Sequence, residues 1–371
     1  MKVLILTRTF PETENDWGGI FVKEQADALI REHEVIVVKF KNDETDFKPF
    51  FRYKVREETD FKYRFFIITV SRSFPVYNQF NYILCVYFAL NKILKGGKVD
   101  IIHCHYSYPA GVIARLINLK LKIPYVITEH SKIKQTFRSA FHKKLSLYSL
   151  RYSCMNISVS NALKNELVAE GINKVEVVPN VIDTGRFSLA GRSAGPFRIG
   201  FLGSLNTHNK GLDLLLKSCS VLPIDFILKI GGAGLHFEYY KDLAHEMGIA
   251  GKCIFTGEIS KMQISNFYSD LNLFVLPSRY ETFGIVLVEA MSSGLPVIST
   301  RCGGPEEIIN EQVGILTDTD NSDQIKDAIM KIYSNYSEYK PEEIRNYAFN
   351  NWGIDPFLKK INSIYQRCFS K

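Results

Sequence analysis

The stretch Leu271–Thr300, LNLFVLPSRYETFGIVLVEAMSSGLPVIST, decides how the rest of the chain is read. LNLFVLP is a short apolar run closed by proline, the pattern of a strand buried on both faces. Ile285 to Val288 are consecutive apolar residues that cover every side of a helical turn. The helix starting near Thr282–Gly284 is therefore expected to be buried nearly all round. Val297–Ser299 then reads as the next strand. Two glutamates, Glu281 and Glu289, flank the apolar run, and a buried carboxylate costs several kcal/mol unless it finds partners. Glu281 follows the carboxyl end of a strand, beside a helix N-terminus whose free N–H groups favour anionic or hydroxyl-rich ligands. Gly284 lets a ligand approach the backbone closely. Helical side chains lean toward the N-terminus, so Glu289 is expected to point back to the same mouth. Both carboxylates would then converge on one ligand, each accepting from a pair of sugar hydroxyls. The alternative is that Glu281 complements the helix dipole and Glu289 pairs with a core arginine.

Outward from this unit, short apolar runs alternate with helical patterns along the chain. The first half gives strands at Val3–Thr7, Val35–Phe40, Phe65–Val70, Ile101–His105, Tyr125–Thr128, Ile157–Ser160 and Val175–Pro179. A second series begins at Arg198–Leu202. Strands alternating with helices imply α/β architecture with parallel sheets covered on both faces. The expected organisation is an N-terminal Rossmann-like domain over residues 1–182, a Gly/Ser/Pro-rich linker at 183–196, and a second Rossmann-like domain over 197–354. A helical pattern at 355–371 is expected to pack back on the first domain. Ligands of open α/β sheets lie beyond the carboxyl ends of the strands. Two facing domains of this kind make a cleft with one ligand site per wall, which suits transfer of a group between two molecules.

The seven cysteines include no C-x-x-C pair, which argues against a disulfide framework or zinc ribbon and favours a reducing, cytoplasmic setting. MKVLILTRTF is too short in its apolar part for a signal peptide. The longest other apolar run, Tyr82–Leu90, falls far short of the ~20 residues of a bilayer span. Net charge is +7, and it is unevenly placed. Phe61–Val99 holds six basic residues, ten aromatics and no acid; Ser131–Asn165 holds seven basic residues and no acid. Such a surface is either a set of solvated helix faces or one attracted to anionic lipid headgroups, placing the protein peripherally at an inner membrane face. No nucleic-acid-binding motif accompanies the charge.

The E-x7-E spacing in PSRYETFGIVLVEAMSSGLPVIST, followed by GGPEEII, resembles the signature of family-four retaining glycosyltransferases of the GT-B fold. RTFPETENDWGGIFVKEQADAL is similar to that family's N-terminal glycine loop and first helix. VDIIHCHYSYPAG and IPYVITEH resemble its inner strands, and VEVVPNVIDTGRF its domain junction. GFLGSLNTHNKGLDLLL, IGGAG and CIFTGEIS follow in the family's order. The resemblance implies that Glu281 contacts the transferred sugar, helped by amides of Phe283, Gly284 and Ile285, and that Glu289 holds the nucleotide ribose. It implies that Lys210 neutralises the diphosphate, that Gly19 brings a backbone amide toward the same phosphates from the other domain, and that Gly18 lies at the acceptor site. Gly257, Glu258 and Ile259 would line the base through main-chain atoms. His130 would lie beside the reacting carbon, with His105 reaching the acceptor. The implied donor is a UDP- or GDP-linked hexose, the implied acceptor a glycan or lipid-linked hydroxyl, and neither a cofactor nor a metal is required. The family's usual arginine after the glycine is replaced by Ser204 in GSLNTHNKG, so a second cation such as Arg301 would have to complete the phosphate clamp.

Rival readings carry their own signatures. His103 and His105 face one side of a strand and could form a zinc site with His130, or simply line a polar cleft. A dinucleotide-dependent oxidoreductase would need G-x-G-x-x-G, but GGAGLHF has Phe237 at the third position. A nucleotide-sugar epimerase would convert the donor with no acceptor present. A degenerate, non-catalytic nucleotide-sugar binder would bind without turnover.

Overall fold

A computed structural model describes residues 1–13, 16–47, 52–59, 61–72, 78–131, 139–191 and 195–369. The chain divides into two compact units, Met1–Val181 with Phe357–Lys371, and Ile182–Pro356.

In the first unit the strands are β1 (Lys2–Thr7), β2 (Glu34–Phe47), β3 (Tyr53–Glu58), β4 (Arg64–Arg72), β5 (Ile101–His105), β6 (Tyr125–Glu129), β7 (Met155–Ser158) and β8 (Val175–Val177). They form one sheet in the order β3-β4-β2-β1-β5-β6-β7-β8. Every pairing is parallel except β3 with β4. Every residue of β5 and β6 is buried, as befits central strands covered on both faces. Sequence reading does not find β3. YKVREE has a single aliphatic residue and lies mostly exposed at the sheet edge, so it carries no period-2 signal.

The helices of this unit include Ile20–Leu29, Asn78–Leu94, Val112–Leu121, Ala140–Tyr152 and Asn161–Ala169. The Ser139 hydroxyl caps one by accepting from the His142 N–H (3.2 Å), and Ser160 caps another by accepting from Leu163. The part of the expected helix at 134–138 lies outside the described residues. The helix Ile354–Phe369 buries Phe357, Leu358, Ile361, Ile364 and Tyr365. From Phe357 onward it belongs to the first unit, where the Arg367 guanidinium grips both Glu176 oxygens at 2.7 Å.

The second unit holds β9 (Phe197–Leu202), β10 (Phe226–Gly231), β11 (Cys253–Gly257), β12 (Leu273–Leu276), β13 (Val297–Thr300) and β14 (Gly314–Thr317). Their order is β11-β10-β9-β12-β13-β14, all parallel. Strand order reverses between β9 and β12, and a ligand crevice in such a sheet opens beyond the carboxyl ends at that reversal. A Cβ on Gly200 would come 2.1 Å from Leu271 Cδ1, so any larger residue there would have to displace the Leu271 side chain. The helix Ile285–Ser292 buries Leu287, Val288, Ala290 and Met291 completely, each of the larger side chains contributing about 1.5–3 kcal/mol. Of the expected linker 183–196, residues 192–194 lie outside the described residues, and residues 183–191 are anchored within this unit. The Ala190 N–H donates to the Ser293 carbonyl (2.8 Å), and Arg345 donates to the Phe187 carbonyl (2.8 Å). Its poor periodicity reflects irregular backbone tied by hydrogen bonds.

Candidate functional site

Lys210 and Glu281 meet at the reversal point of the second sheet. Lys210 ends a 3-10 turn, His208–Lys210, in the connection after β9, and Glu281 follows β12. Lys210 Nζ lies 2.6 Å from Glu281 Oε2, and the Ser278 hydroxyl donates to the same oxygen at 3.3 Å. The two loops are stapled to each other. The Arg279 N–H donates to the Asn209 carbonyl (2.7 Å), and the Asn209 amide donates to the Tyr280 carbonyl (2.9 Å). The Arg279 guanidinium holds both Asp213 oxygens (3.0 and 2.7 Å) and donates to the His208 carbonyl (2.6 Å). Gly211 completes the joint, with φ +70° and a hypothetical Cβ 2.0 Å from the Pro277 carbonyl oxygen. Lys210 is therefore positioned by rigid neighbours, and Glu281 takes one of its three donors, the other two having no partner among the described residues.

Glu281 is fixed from its other side as well. Its backbone bridges Gly303, and the Gly304 N–H donates to its carbonyl (2.8 Å). A Cβ on Gly304 would sit 2.4 Å from the Phe283 backbone, so the GGPE turn packs directly on the entrance to the helix. Gly284 caps that helix in the left-handed region, φ +102°. Phe283 is buried, while Ile285 at the first helical position is half-buried. A helix N-terminus, a carboxylate and an ammonium thus occupy one edge of the sheet.

Glu289 is held differently. It is 4% exposed, with Oε1 accepting from Arg186 Nη2 (3.0 Å) and Oε2 from the Tyr268 hydroxyl (3.0 Å). Burial pushes its carboxyl above the usual range, and Arg186 pulls the other way. The two glutamates therefore do not share partners: Glu281 is paired with Lys210, whereas Glu289 is paired with the arginine that the alternative reading required. Arg186 and Tyr268 lie far from Glu289 in sequence, and no local pattern announces them. The Arg186 guanidinium also stacks on Phe187, 4.8 Å from the ring centroid.

The Ser204 hydroxyl accepts from the Asn206 side-chain amide (3.1 Å), so it serves its own loop. That loop is stitched to the GGAG turn after β10: the Gly203 N–H donates to Gly231 (3.1 Å) and the Leu205 N–H to Ala233 (3.0 Å). Gly257 ends β11 at φ +70° and accepts from the Gly232 N–H (2.8 Å). Glu258 is exposed, whereas Ile259 is buried against Gly231. Arg301 is exposed at the end of β13, with no side-chain partner among the described residues.

The first unit carries a second polar cluster beyond the carboxyl ends of β5 and β6. His105 Nδ1 and His130 Nε2 share a hydrogen bond (2.9 Å), and Phe21 packs on the His130 ring with centroids 4.3 Å apart. Burial pushes the His130 imidazole down to about 3, against an opposing pull from Asn180. Both rings are neutral at pH 7. His105 Nε2 and His130 Nδ1 have no hydrogen-bond partner among the described residues. A buried unpaired nitrogen costs about 1–3 kcal/mol, which a ligand hydroxyl can recover. His103 spends both nitrogens elsewhere, on the Tyr365 and Thr128 hydroxyls (2.7 Å each), so the three histidines do not converge on one point. Gly19 has φ +79° at the start of Ile20–Leu29, with its missing Cβ 2.4 Å from the Thr9 carbonyl, and the Gly18 N–H donates to Asp16 Oδ1 (2.7 Å). Glu129 was overlooked in sequence, although it precedes His130. It is 2% exposed, Oε1 accepts from the Ser107 N–H (2.7 Å), and burial raises its carboxyl to about 7.

Comparison with known proteins agrees with this construction. The model for Glycosyltransferase Family 4 matches residues 18–186, and that for Glycosyl transferases group 1 matches residues 190–351. An uncharacterized glycosyltransferase of Methanocaldococcus jannaschii is 27% identical over 293 residues, 78% of this chain and 78% of that one. Among solved structures, the sucrose-phosphate synthase of Thermosynechococcus elongatus superposes with a TM-score of 0.79 at 18% identity, covering 100% of this chain and 99% of the other. Anabaena HepE in complex with UDP gives 0.78 at 17% identity, covering 99% and 100%. Those likenesses establish the fold, and the two sequence models cover nearly everything between Gly18 and Asn351. With a Family 4 half followed by a group 1 half on two parallel-sheet α/β units, the chain belongs to the group 1 glycosyltransferases of GT-B fold.

Proposed function

We propose that this glycosyltransferase moves a hexose, with retention of configuration, from a UDP- or GDP-linked donor to a hydroxyl of a glycan or lipid-linked acceptor. The observation that carries the reading is the Lys210–Glu281 pair, 2.6 Å apart at the reversal point of the second sheet and beside the Gly284-capped helix. The donor diphosphate takes the free Lys210 protons and the helix N-terminal amides, while Glu281 accepts from sugar hydroxyls. Glu289, oriented by Arg186 and Tyr268, accepts from the ribose. The likeness to a structure of HepE holding UDP supports a nucleotide-sugar donor. In the reaction the bond between the anomeric carbon and the β-phosphate oxygen breaks, and the acceptor oxygen bonds to that carbon. The acceptor proton passes to the departing phosphate. The transition state resembles an oxocarbenium ion leaving a dianion, so preorganised donors around the leaving group supply most of the rate.

No metal ion or cofactor is part of this proposal, because Lys210 and the amides provide the positive charge. Ser204 cannot, and Arg301 is the proposed second cation. His130, with its unpaired Nδ1, is proposed to face the acceptor and the transferred sugar, with His105 behind it. The protein is proposed to work in the cytoplasm at the inner face of a membrane; among the described residues no helix is long and apolar enough to cross one.

A panel of nucleotide sugars, tested for thermal stabilisation, checks the reading. One or more UDP- or GDP-sugars should raise Tm, and Glu281→Ala should abolish the sugar-dependent part. Donor conversion with no acceptor present would point instead to an epimerase. Binding that never leads to transfer with any acceptor would point to a non-catalytic binder.

A further inference from the structure

We infer that three helices of the first unit form a face that docks on anionic phospholipid bilayers. This gives the proposed peripheral location a specific surface, and it rests on that proposal without depending on which sugar is transferred. The helices are Asn78–Leu94, Val112–Leu121 and Ala140–Tyr152, and none contains an acidic residue. Each buries one stripe against the sheet, yet the opposite stripe is not the polar one a solvated helix carries. On the first helix Phe80 is 65% exposed and Phe88 51%, with Lys92 exposed one position beyond a further turn. On the third, Phe141 is 62% exposed and Tyr152 54%, in a stripe with Lys144, Tyr148 and Arg151 at helical spacing. The short middle helix ends in exposed Leu119 and Leu121, which alternate with Lys120 and with Lys122 at its C-cap.

Side chains join the three into one surface. Arg115 lies 4.3 Å from the Tyr152 ring centroid and 5.6 Å from that of Tyr148, tying the middle helix to the third. Lys120 lies 6.0 Å from the Tyr87 centroid, tying it to the first. A groove of about 620 Å³ continues the face at the amino ends of β5 and β6. Its apolar lining includes Leu94, Leu121, Tyr152 and Phe369; Lys98 and Lys122 also border it, as does Asp100, whose carboxylate accepts from the Lys2 N–H (2.8 Å). That volume falls within the range of small-ligand pockets, room for part of one acyl chain under its phosphate.

The chemistry selects the occupant. Half-exposed Phe and Leu seek an apolar phase, Tyr suits a headgroup boundary, and Lys and Arg on three helices that carry no acid seek negative charge. A nucleic acid would use the charge but leave the Phe and Leu side chains in water. A second copy of this chain would bring the same positive field against itself.

Flotation of the full-length protein with vesicles tests the inference. Vesicles of phosphatidylcholine with phosphatidylserine should capture it, pure phosphatidylcholine should not, and raised salt should release it. Lys144→Gln with Arg151→Gln should weaken capture about 30-fold. Phe88→Ser with Phe141→Ser should leave a residual, wholly salt-labile association. Both pairs lie on the exposed stripe, so Tm and nucleotide-sugar stabilisation should stay at wild-type values. That second readout separates failure of docking from failure of the donor-site reading. The inference is overturned if neither vesicle binds, if either double variant binds as wild type does, if RNA binds in a salt-sensitive way while vesicles do not, or if light scattering shows a dimer that the Phe variants dissolve.

Discussion

Replacing Glu129 by Gln makes a demanding test, because structure fixes both the sign and the size of its effect. The native carboxyl is 2% exposed, its Oε1 accepts from the Ser107 N–H, and its Oε2 has no partner among the described residues. Burial raises its pKa from 4.5 to about 7. Between those values the folded chain holds a proton that the unfolded chain has released, so stability falls as pH rises through this window. At about 1.36 kcal/mol per pH unit, the difference amounts to about 3 kcal/mol above pH 7. Glutamine keeps the acceptor for Ser107 and stays uncharged, mimicking the protonated acid. Glu129→Gln should therefore match wild type near pH 4 and exceed it by about 3 kcal/mol at pH 8. Urea unfolding followed by Trp17 fluorescence in a Trp352→Phe background reports the first unit alone. A pH-independent difference, or a variant less stable at pH 8, would refute a neutral buried carboxyl at this position. The neighbouring Tyr106, at φ +74°, is the strained residue whose turn the Ser107 bond secures.

Other expectations follow from single contacts. Lys210→Met should lower kcat about 10²–10³-fold with little loss of Tm, since it removes the ammonium from the leaving-group site, and initial-rate kinetics at saturating donor measures this. Arg186→Met should cost about 3 kcal/mol in urea unfolding by stranding the Glu289 carboxylate, and Arg186→Met with Glu289→Leu should regain most of it while still failing to bind nucleotide. Gly211→Ala should cost more than about 2 kcal/mol, because φ +70° and the Pro277 carbonyl both exclude a Cβ, and donor KM should rise as Lys210 is displaced.

How much of this was legible depended on whether the physics is local. LNLFVLP and the run Ile285–Val288 announce strand and helix because burial on every side leaves no polar residue to confuse the period. β3 was invisible because an exposed edge strand has no such pattern. Glu281 and Gly284 could be named because backbone geometry places strand ends and helix starts at known offsets, whereas Lys210 was named through the family resemblance of GSLNTHNKG. The partners of Glu289 could not: Arg186 and Tyr268 reach it only through the tertiary fold. Glu129 was missed since a lone acid beside a histidine says nothing about burial. The positive field of the first half was visible in composition alone, but its alignment on three neighbouring helices needed coordinates.

The most direct test of the donor site is a crystal structure of the protein soaked with a UDP- or GDP-sugar that stabilises it. The account predicts the diphosphate within hydrogen-bonding distance of Lys210 Nζ and the amides following Gly284, with sugar hydroxyls on the Glu281 carboxylate. A nucleotide bound elsewhere, with Lys210 and Glu281 still paired to each other and untouched, would contradict it.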